Sequence, residues 1–259
     1  MYTEEKNGLQ LLRFDNFKDL AGVACAVSTR QGGFTSGPFG GLNLGSFSGD
    51  NPEAAAKNLG LFCGALGADP SKLAHMRQRH TANVAVVEAG APRAENTDAL
   101  VTAARGVPLL ALSADCALTV FYDAEHKALA VAHSGWRGAF LNIYSAVLNV
   151  MRMRYGTAPE NLTVGVSPMI SAANYPVQGD FLEKLRAFYP GPEHLRWLML
   201  KNGVHFFSLR ELLRFQLEQL GVKKHEFMHL CTHERKDLFF SFRRDGAATG
   251  HFGLAAMLK

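Results

Sequence analysis

Cysteine is scarce in this sequence of 259 residues, and no two cysteines form a Cys-x-x-Cys pair. The sequence therefore indicates neither a disulfide-rich secreted scaffold nor a zinc ribbon, both of which require closely spaced cysteines. In a chain of this size we interpret the cysteines as free thiols, each with its own environment. They are Cys25, Cys63, Cys116 and Cys231.

Long apolar runs and concentrated charge of one sign are also missing. No apolar stretch approaches the ~20 residues that a membrane-spanning helix requires, and residues 1–6 lack the basic and then apolar pattern of a secretory signal. The formal net charge is +4, but the basic residues are scattered, whereas nucleic-acid-binding proteins concentrate them on one face or tail. We expect a cytoplasmic protein that binds neither membranes nor nucleic acid.

The composition supplies ample material for a single hydrophobic core. Hydrophobic residues make up 47% of the chain and charged residues 19%, and no linker, repeat or low-complexity tract divides it. Predicted strands and helices interleave without a regular β-α-β period, and several strands come in succession, as at residues 107–133 and 227–258. This pattern favours one mixed-sheet α+β domain over a doubly wound parallel fold.

Local signals place the helices and strands. A helix over residues 54–66 has Asn51 as its cap and ends at Gly67, and a second helix capped by Ser208 ends at Gly221. Apolar residues at helical spacing run from the glycines of 135–138 to Gly156. A short helix is predicted at 180–188, a Gly/Ser-rich loop at 34–49, strands at 20–29, 84–87, 107–112, 117–122, 128–133, 162–166, 197–200, 227–231 and 238–242, and a final apolar segment at 253–258.

His80, Cys116 and His133 each lie beside a predicted strand end, where α/β proteins keep much of their chemistry. Two imidazoles and one thiolate suit Zn²⁺, and three protein ligands leave a fourth position open. Copper accepts the same ligands. The three residues are too far apart in sequence to form a short ligand motif, so a structural histidine and a buried thiol are the alternative interpretations.

Two neighbouring motifs are specific. The sequence Ser-Ala-Asp-Cys at 113–116, followed by His-Ser-Gly-Trp-Arg-Gly at 133–138, closely resembles the T-A-D-C and H-A-G-W-R-G signature of the laccase-domain family. This family is also called the multicopper polyphenol oxidase or peptidoglycan-editing factor family. Gln-Arg-His at 78–80 is similar to its Q-x-H motif. Further matches lie at 29–33, 42–45, 98–102 and 231–245, so the resemblance covers essentially the whole chain.

The resemblance implies a fold, a metal site and an activity. The implied fold is a four-layer α/β/β/α sandwich with mixed sheets, forming a single domain over residues 1–259. The family's ligands carry over onto His80, Cys116 and His133. Members are described as zinc-dependent enzymes that phosphorolyse adenosine, inosine and methylthioadenosine and deaminate adenosine. The resemblance thus implies Zn²⁺ as the cofactor, with copper as the alternative.

The sequence departs from the family pattern at four places. Ser113 and Ser134 replace the usual Thr and Ala, which is a conservative change. Residues 166–175 lack the family's Gly-Pro and cysteine pair, and Gly250-His251 stands where Gly-Arg is usual. The last two departures concern ligand contacts and leave the three metal ligands in place.

Phosphorolysis requires a phosphate held beside the sugar. Arginine suits phosphate because its guanidinium donates two parallel hydrogen bonds, and Arg30, Arg137 and Arg243 are the candidates. Arg137 is the first choice, since it lies at a strand-to-helix turn where backbone N–H groups also favour an anion. For Arg243, an ion pair with a carboxylate such as that of Asp245 is an equal alternative.

Other polar residues near these motifs are candidates for proton transfer or substrate orientation. Asp115 adjoins Cys116 and could exchange protons or support a metal ligand, and a structural hydrogen bond is the alternative. Asn43 and Ser241 could orient substrate, with turn stabilisation as the default. Trp136 is predicted to pack beneath its turn. The predicted catalytic residues are Cys116, His133, Asp115 and Arg137, and the predicted substrate- or phosphate-binding residues are Arg30, Asn43, Ser241 and Arg243.

Three functional hypotheses follow. The first is a zinc-dependent purine nucleoside phosphorylase and adenosine deaminase, whose partners are a purine nucleoside and phosphate and whose expected state is a monomer. The second is an amidase that edits UDP-MurNAc-amino acid precursors of peptidoglycan, with Cys116 as nucleophile and His133 as its base. The third is a metal-binding or redox module without turnover of small nucleosides, including a copper-dependent phenol oxidase. Phenol oxidation ranks lowest because the ten histidines form no His-x-His pairs for several copper centres.

Overall fold

The computed structural model describes residues 1–45, 49–88 and 93–259. The strands within these ranges are β1 (Tyr2–Lys6), β2 (Leu9–Arg13), β3 (Val23–Ser28), β4 (Ala74–His75), β5 (Val84–Val86), β6 (Ala99–Thr102), β7 (Leu109–Ser113), β8 (Ala117–Asp123), β9 (Ala128–Ser134), β10 (Leu162–Val166), β11 (Pro176–Val177), β12 (Leu198–Lys201), β13 (Val204–Phe207), β14 (Lys224–Phe227) and β15 (Phe252–Leu258). The helices are α1 (Pro52–Leu66), α2 (Trp136–Phe140), α3 (Ile143–Tyr155), α4 (Asp180–Phe188), α5 (Leu209–Gln219) and α6 (Phe242–Asp245).

Two six-stranded sheets form the centre of the molecule. The first has the order β1-β2-β3-β15-β7-β4, and the second has the order β14-β10-β8-β9-β6-β5. Both are mixed: β4 runs parallel to β7 in the first sheet, and β5 runs parallel to β6 in the second, while β8 and β9 are antiparallel. A smaller sheet, β11-β13-β12, lies outside these two.

The alternation of side chains along the central strands creates the layers. In β8, Leu118 packs between the two sheets, whereas Phe121 faces the helices α3 and α5. In β15, Leu254 joins the core between the sheets, whereas Ala255 packs on the side of α1. Helices therefore cover both outer faces of a pair of sheets, and the predicted α+β sandwich of four layers is confirmed.

The predicted helix caps at residues 51 and 208 are confirmed. The side chain of Asn51 accepts hydrogen bonds from two backbone amides of the first turn of α1, and Gly67 ends that helix with φ 77°. Oγ of Ser208 accepts a hydrogen bond from the Glu211 backbone N at 3.3 Å. None of the described helices is long and apolar enough to cross a membrane.

The prediction of one continuous helix between Gly138 and Gly156 is wrong, because the structure has two helices there. Helix α2 ends at Phe140 and α3 begins at Ile143. Between them Asn142 adopts φ 54°, and its side chain caps α3 by accepting a hydrogen bond from the Ser145 backbone N at 3.1 Å. Apolar spacing continues across this break, so periodicity alone does not detect a left-handed residue.

Two predicted strands near the C-terminus are also wrong. Strand β14 ends at Phe227, so it meets the predicted strand 227–231 at one residue only. Residues 238–241 form no strand and lead into α6, although Leu238, Phe239 and Phe240 are buried. A buried apolar loop has the composition of a strand, which explains the error. Strands β1, β2, β4, β6, β11 and β13 were not predicted, whereas β12 of the small sheet overlaps the strand predicted at 197–200. Residues 46–48 of the predicted loop lie outside the described residues.

Candidate metal centre and active-site cavity

The three predicted ligands converge at one edge of the two sheets. His80 lies in the loop after β4, Cys116 lies between β7 and β8, and His133 is the penultimate residue of β9. Their ligand atoms all lie within 4.8 Å of one another, and Sγ of Cys116 is 3.9 Å from Nε2 of His80. Nitrogen and sulfur ligands at about 2.1 and 2.3 Å from a tetrahedral ion lie roughly 3.5 Å apart. The three side chains therefore fit one ion with a small inward adjustment.

Asp98, which was not predicted as a site residue, organises this group. Its buried carboxylate accepts a hydrogen bond from Nδ1 of His133 at 2.9 Å. It also accepts hydrogen bonds from the backbone N atoms of Arg79, His80 and Thr81, at distances of 2.8–3.0 Å. One carboxylate thus fixes two of the three ligands. Asp98 is the first residue of the family motif at 98–102, which could have marked it as a site residue. The sequence does not show which histidine its carboxylate contacts.

The charge state of Asp98 determines how His133 is oriented. Burial alone would raise the pKa of this carboxyl, but the hydrogen bond and charge of His133 and the backbone N–H donors hold it well below its usual range. An ionised carboxylate accepts hydrogen bonds, so Nδ1 of His133 carries a proton. Nε2 of His133 is then the nitrogen available to a metal ion, as is usual for histidine ligands supported by a carboxylate.

Backbone geometry makes room for the ligands. His80 adopts φ 59°, a left-handed conformation that is uncommon for a residue with a side chain. A Cβ atom at Gly135 would lie 2.7 Å from Cδ2 of His80 and 2.8 Å from Sγ of Cys116. The glycine of the 133–138 motif is therefore required because two ligands pack directly against its backbone.

Cys116 and His133 change each other's protonation. Burial would raise the pKa of the Cys116 thiol, but the charge and hydrogen bonds of His133 and His80 outweigh burial and lower this pKa to about 6. Burial would likewise lower the pKa of His133, but Cys116 and Asp98 raise it to about 9. At neutral pH the metal-free pair is a thiolate and an imidazolium. The thiolate is the form of cysteine that binds metals and attacks electrophiles.

The ligands line part of a cavity of about 630 Å³, a volume that suits a small organic molecule, and we call this part the metal end. Arginines and aromatic rings form part of its wall. The Arg137 guanidinium lies over the Trp136 ring at 4.5 Å, and the Arg243 guanidinium lies over the Tyr175 ring at 4.9 Å. Such contacts hold a guanidinium flat, with its N–H groups around the edge of the plane. One of these groups in Arg243, that of Nη1, donates a hydrogen bond to the Pro176 backbone O at 3.2 Å. We call this group, Trp136, Arg137, Tyr175 and Arg243, the arginine wall.

Asp115 links the metal-binding loop to Arg243 of the arginine wall. Its carboxylate accepts hydrogen bonds from Oγ1 of Thr232 at 2.6 Å and from the backbone N of Arg243 at 2.7 Å. Burial raises the pKa of this carboxyl, although these hydrogen bonds act in the opposite direction. Because Asp115 precedes the ligand Cys116, it fixes the position of Arg243 relative to the metal-binding loop.

The structure brings Asp115, Arg137 and Arg243 to the cavity and places the other predicted substrate-binding residues elsewhere. The Arg30 guanidinium lies over the Phe240 ring at 4.4 Å and is not among the described residues that line the cavity. Asn43 and Ser241 are completely buried. The Asn43 side chain bonds to the backbone of its own loop and of residue 251, and Ser241 caps α6.

Tyr175 and His251 are among the cavity residues that were not predicted as site residues. Tyr175 carries Arg243 on its ring face, and His251 lines the cavity beside the metal-binding loop. The sequence signal for both was the departure from the family pattern at 166–175 and at 250–251. A residue that differs from the family pattern indicates that a contact of the site has changed, but the sequence does not show what the new side chain contacts.

Comparisons with known proteins agree with this geometry. A family profile described as "Multi-copper polyphenol oxidoreductase laccase" matches residues 24–259. A purine nucleoside phosphorylase from Deinococcus radiodurans is 35% identical over 243 residues, which cover 94% of this chain and 90% of that protein. A protein of the same name from Bacteroides thetaiotaomicron is 29% identical, and the match covers 93% of each chain.

A solved structure shares the fold over its whole length. The crystal structure of the hypothetical protein YfiH from Bacillus licheniformis superposes with a TM-score of 0.90 at 25% sequence identity, and the match covers 99% of this chain and 97% of that one. The resemblance predicted from the motifs is confirmed. Because the family profile and the relatives each match nearly all of it, this chain belongs to the multi-copper polyphenol oxidoreductase laccase family.

Proposed function

We propose that this protein is a zinc-dependent purine nucleoside phosphorylase that cleaves adenosine, inosine and methylthioadenosine and also deaminates adenosine. The observation that carries the proposal is a single cavity with a His-Cys-His ligand group at one end and two ring-supported arginines on its wall. The names of the relatives from Deinococcus radiodurans and Bacteroides thetaiotaomicron support the same activity.

The donor set favours zinc as the resident ion. Two imidazole nitrogens and one thiolate are typical of a catalytic zinc site, and His80, Cys116 and His133 would hold the ion with one coordination position left for water or substrate. When bound, the ion would supply a Lewis acid at this end of the cavity. The Asp98 carboxylate supports His133 as carboxylates do in many zinc sites.

The arginine wall suits the phosphate of a phosphorolysis reaction. In this reaction a phosphate oxygen forms a bond to C1′ of the sugar while the bond from C1′ to N9 breaks, and the bonding electrons leave with the purine. Arg137 and Arg243 present planar donors that match phosphate oxygens, and their aromatic partners reduce the freedom lost on binding. We assign the phosphate to these two side chains.

Deamination requires a group that exchanges protons. Water adds its oxygen to C6 of adenosine, the amino group leaves as ammonia, and the product is inosine. Asp115 is the carboxyl group among the described cavity residues, and its raised pKa suits proton exchange nearer neutral pH than an exposed aspartate allows. Its bond to the Arg243 backbone gives it a positioning role in phosphorolysis as well.

The test is to incubate zinc-loaded protein with adenosine and phosphate and to separate the products. We expect adenine and ribose 1-phosphate, with inosine and ammonia when phosphate is withheld. Chelation of the metal should stop both reactions, and added zinc should restore them. Failure to consume adenosine, inosine or methylthioadenosine in the presence of zinc and phosphate would contradict the proposal.

The Cys116–His133 pair supports a second candidate function. A thiolate with a pKa near 6 beside an imidazolium is also the nucleophile of cysteine amidases. In that case the sulfur would attack the acyl carbon of an aminoacylated muramyl nucleotide, and His133 would protonate the leaving amine. Hydrolysis of that compound by the chelated protein, without any nucleoside cleavage by the zinc-loaded protein, would favour this function.

A further inference from the structure

His251 is a cavity residue to which the reaction described above gives no task. It immediately precedes β15, whose first residue, Phe252, pairs with Ser113 at the end of β7. This register places His251 beside the loop of residues 113–116, and its side chain lines the same cavity as the three metal ligands. The residues of the arginine wall lie in helix α2, in the loop before β11 and in helix α6.

The backbone around His251 is held in a fixed position. Its N atom donates a hydrogen bond to Oδ1 of Asn43 at 2.8 Å, and its carbonyl oxygen accepts one from the Leu44 N at 3.0 Å. The ring packs on Gly45, where an added Cβ atom would lie 2.4 Å from Nδ1. The buried side chain of Asn43 therefore fixes the loop on which this imidazole packs.

The two ring nitrogens of His251 have different surroundings. Nδ1 is buried and has no hydrogen-bond partner among the described residues. Nε2 also makes no hydrogen bond to the described part of the chain, but it is not completely buried. It is therefore the polar atom that the ring presents to the cavity. A proton on Nδ1 would bury an unpaired N–H group, which folded proteins avoid. The favoured form is a neutral ring with its proton on Nε2.

We propose that His251 is a substrate-binding residue, which donates a hydrogen bond from Nε2 to a neutral acceptor on the bound nucleoside. This inference rests on the proposed function and names a contact within it. A neutral donor suits a sugar oxygen or a purine ring nitrogen, whereas the doubly charged phosphate is better matched by Arg137 and Arg243. His251 would thus contact the nucleoside, and the arginine wall would contact the second substrate.

Two substitutions at this position separate hydrogen bonding from packing. His251→Leu removes the donor, and His251→Gln keeps an N–H group near the position of Nε2. We expect His251→Leu to lower kcat/KM for inosine by roughly tenfold through a higher inosine KM, with the phosphate KM and the zinc content unchanged. His251→Gln should recover most of this loss. His205→Leu, at a half-buried histidine of β13 outside the cavity, is the matched control and should retain wild-type values.

The outcomes distinguish this inference from the function on which it rests. Wild-type turnover with an unchanged inosine KM in His251→Leu would overturn the role of His251 and leave the proposed function intact. Equal losses in the Leu and Gln variants, or a parallel loss of bound zinc, would show a structural role and would also overturn it. If the wild-type protein cleaves no purine nucleoside, the proposed function fails and this inference fails with it.

Discussion

The metal ligands and the arginine wall of the cavity are built in different ways. At the metal end, Cys116 and His133 lie at the ends of strands in the central sheets and His80 lies in the loop after β4. One buried carboxylate, that of Asp98, fixes both His133 and the backbone at His80. At the arginine wall, side chains are held by ring faces, and Arg243 depends on the distant Asp115. The contact between His133 and Asp98 is buried, whereas the residues of the wall lie on short helices and in the loop before β11. We infer that the metal end sets the chemistry and the wall sets the substrate.

Removal of a ligand should have the largest effect. Cys116→Ala takes the thiolate from a site that has three protein ligands, so we expect bound zinc and nucleoside turnover to fall below detection. Metal content by elemental analysis and turnover on inosine measure the two losses. Cys63→Ala, a change at a buried cysteine of α1, is the control and should keep both. Full activity in Cys116→Ala would refute the metal end as the reaction centre.

Loss of the supporting carboxylate should have the next largest effect. Asp98→Asn keeps the shape of the side chain but removes the charge that orients His133, and we expect zinc affinity to fall roughly 10- to 100-fold. The chain offers a matched pair outside the site, because His126 contacts Asp123 at 2.8 Å much as His133 contacts Asp98. Zinc titration should therefore show a weaker site in Asp98→Asn and an unchanged one in Asp123→Asn. Equal zinc affinities in the two variants would show that the Asp98 carboxylate does not support the zinc site.

Protons should compete with zinc at the metal end. Between pH 6 and 9 the metal-free site carries a proton on His133, whose pKa is raised to about 9, and zinc must displace it. Zinc affinity should therefore rise about tenfold per pH unit in this window and level off above it. Below pH 6 the Cys116 thiolate, whose pKa is lowered to about 6, also gains a proton, and the dependence should become steeper. Competition with a chelator of known affinity measures the slope, and a flat profile from pH 6.5 to 8.5 would contradict this charge state.

A change at the arginine wall should have the smallest effect and should leave the metal alone. Arg243→Lys keeps the charge but loses the planar donors and the ring contact, so we expect the phosphate KM to rise by about tenfold or less. Zinc affinity should not change. Arg214→Lys, where a guanidinium lies 5.3 Å from the Phe227 ring, is the matched control. A weaker zinc site in Arg243→Lys would show that the two ends are not separable.

The sequence predicted the metal end better than the wall, for a physical reason. His80, Cys116 and His133 belong to short motifs, and the strands β7, β8 and β9 beside Cys116 and His133 are long enough to predict from apolar composition. Asp98 was missed because its partners are 17 to 35 positions away, and only the folded sheets bring them together.

The wall depends on features that local patterns do not encode. Tyr175 and Arg243 meet through a contact between the loop before β11 and helix α6. The predicted strand at 238–242 was wrong because buried phenylalanines in a loop look like a strand, and the left-handed Asn142 interrupted a helix whose apolar spacing continued. At 238–242 burial against distant segments overrides the local preference for a strand, and at Asn142 a left-handed capping residue overrides the local preference for a helix.

The central claim is that two imidazoles and one thiolate share a single ion. X-ray absorption spectroscopy at the zinc edge of protein purified without chelators tests it most directly. We predict one zinc ion per chain, with one sulfur ligand at about 2.3 Å, two imidazole nitrogens at about 2.0–2.1 Å and one further light ligand. A spectrum without a sulfur shell, or one unchanged in Cys116→Ala, would contradict the account.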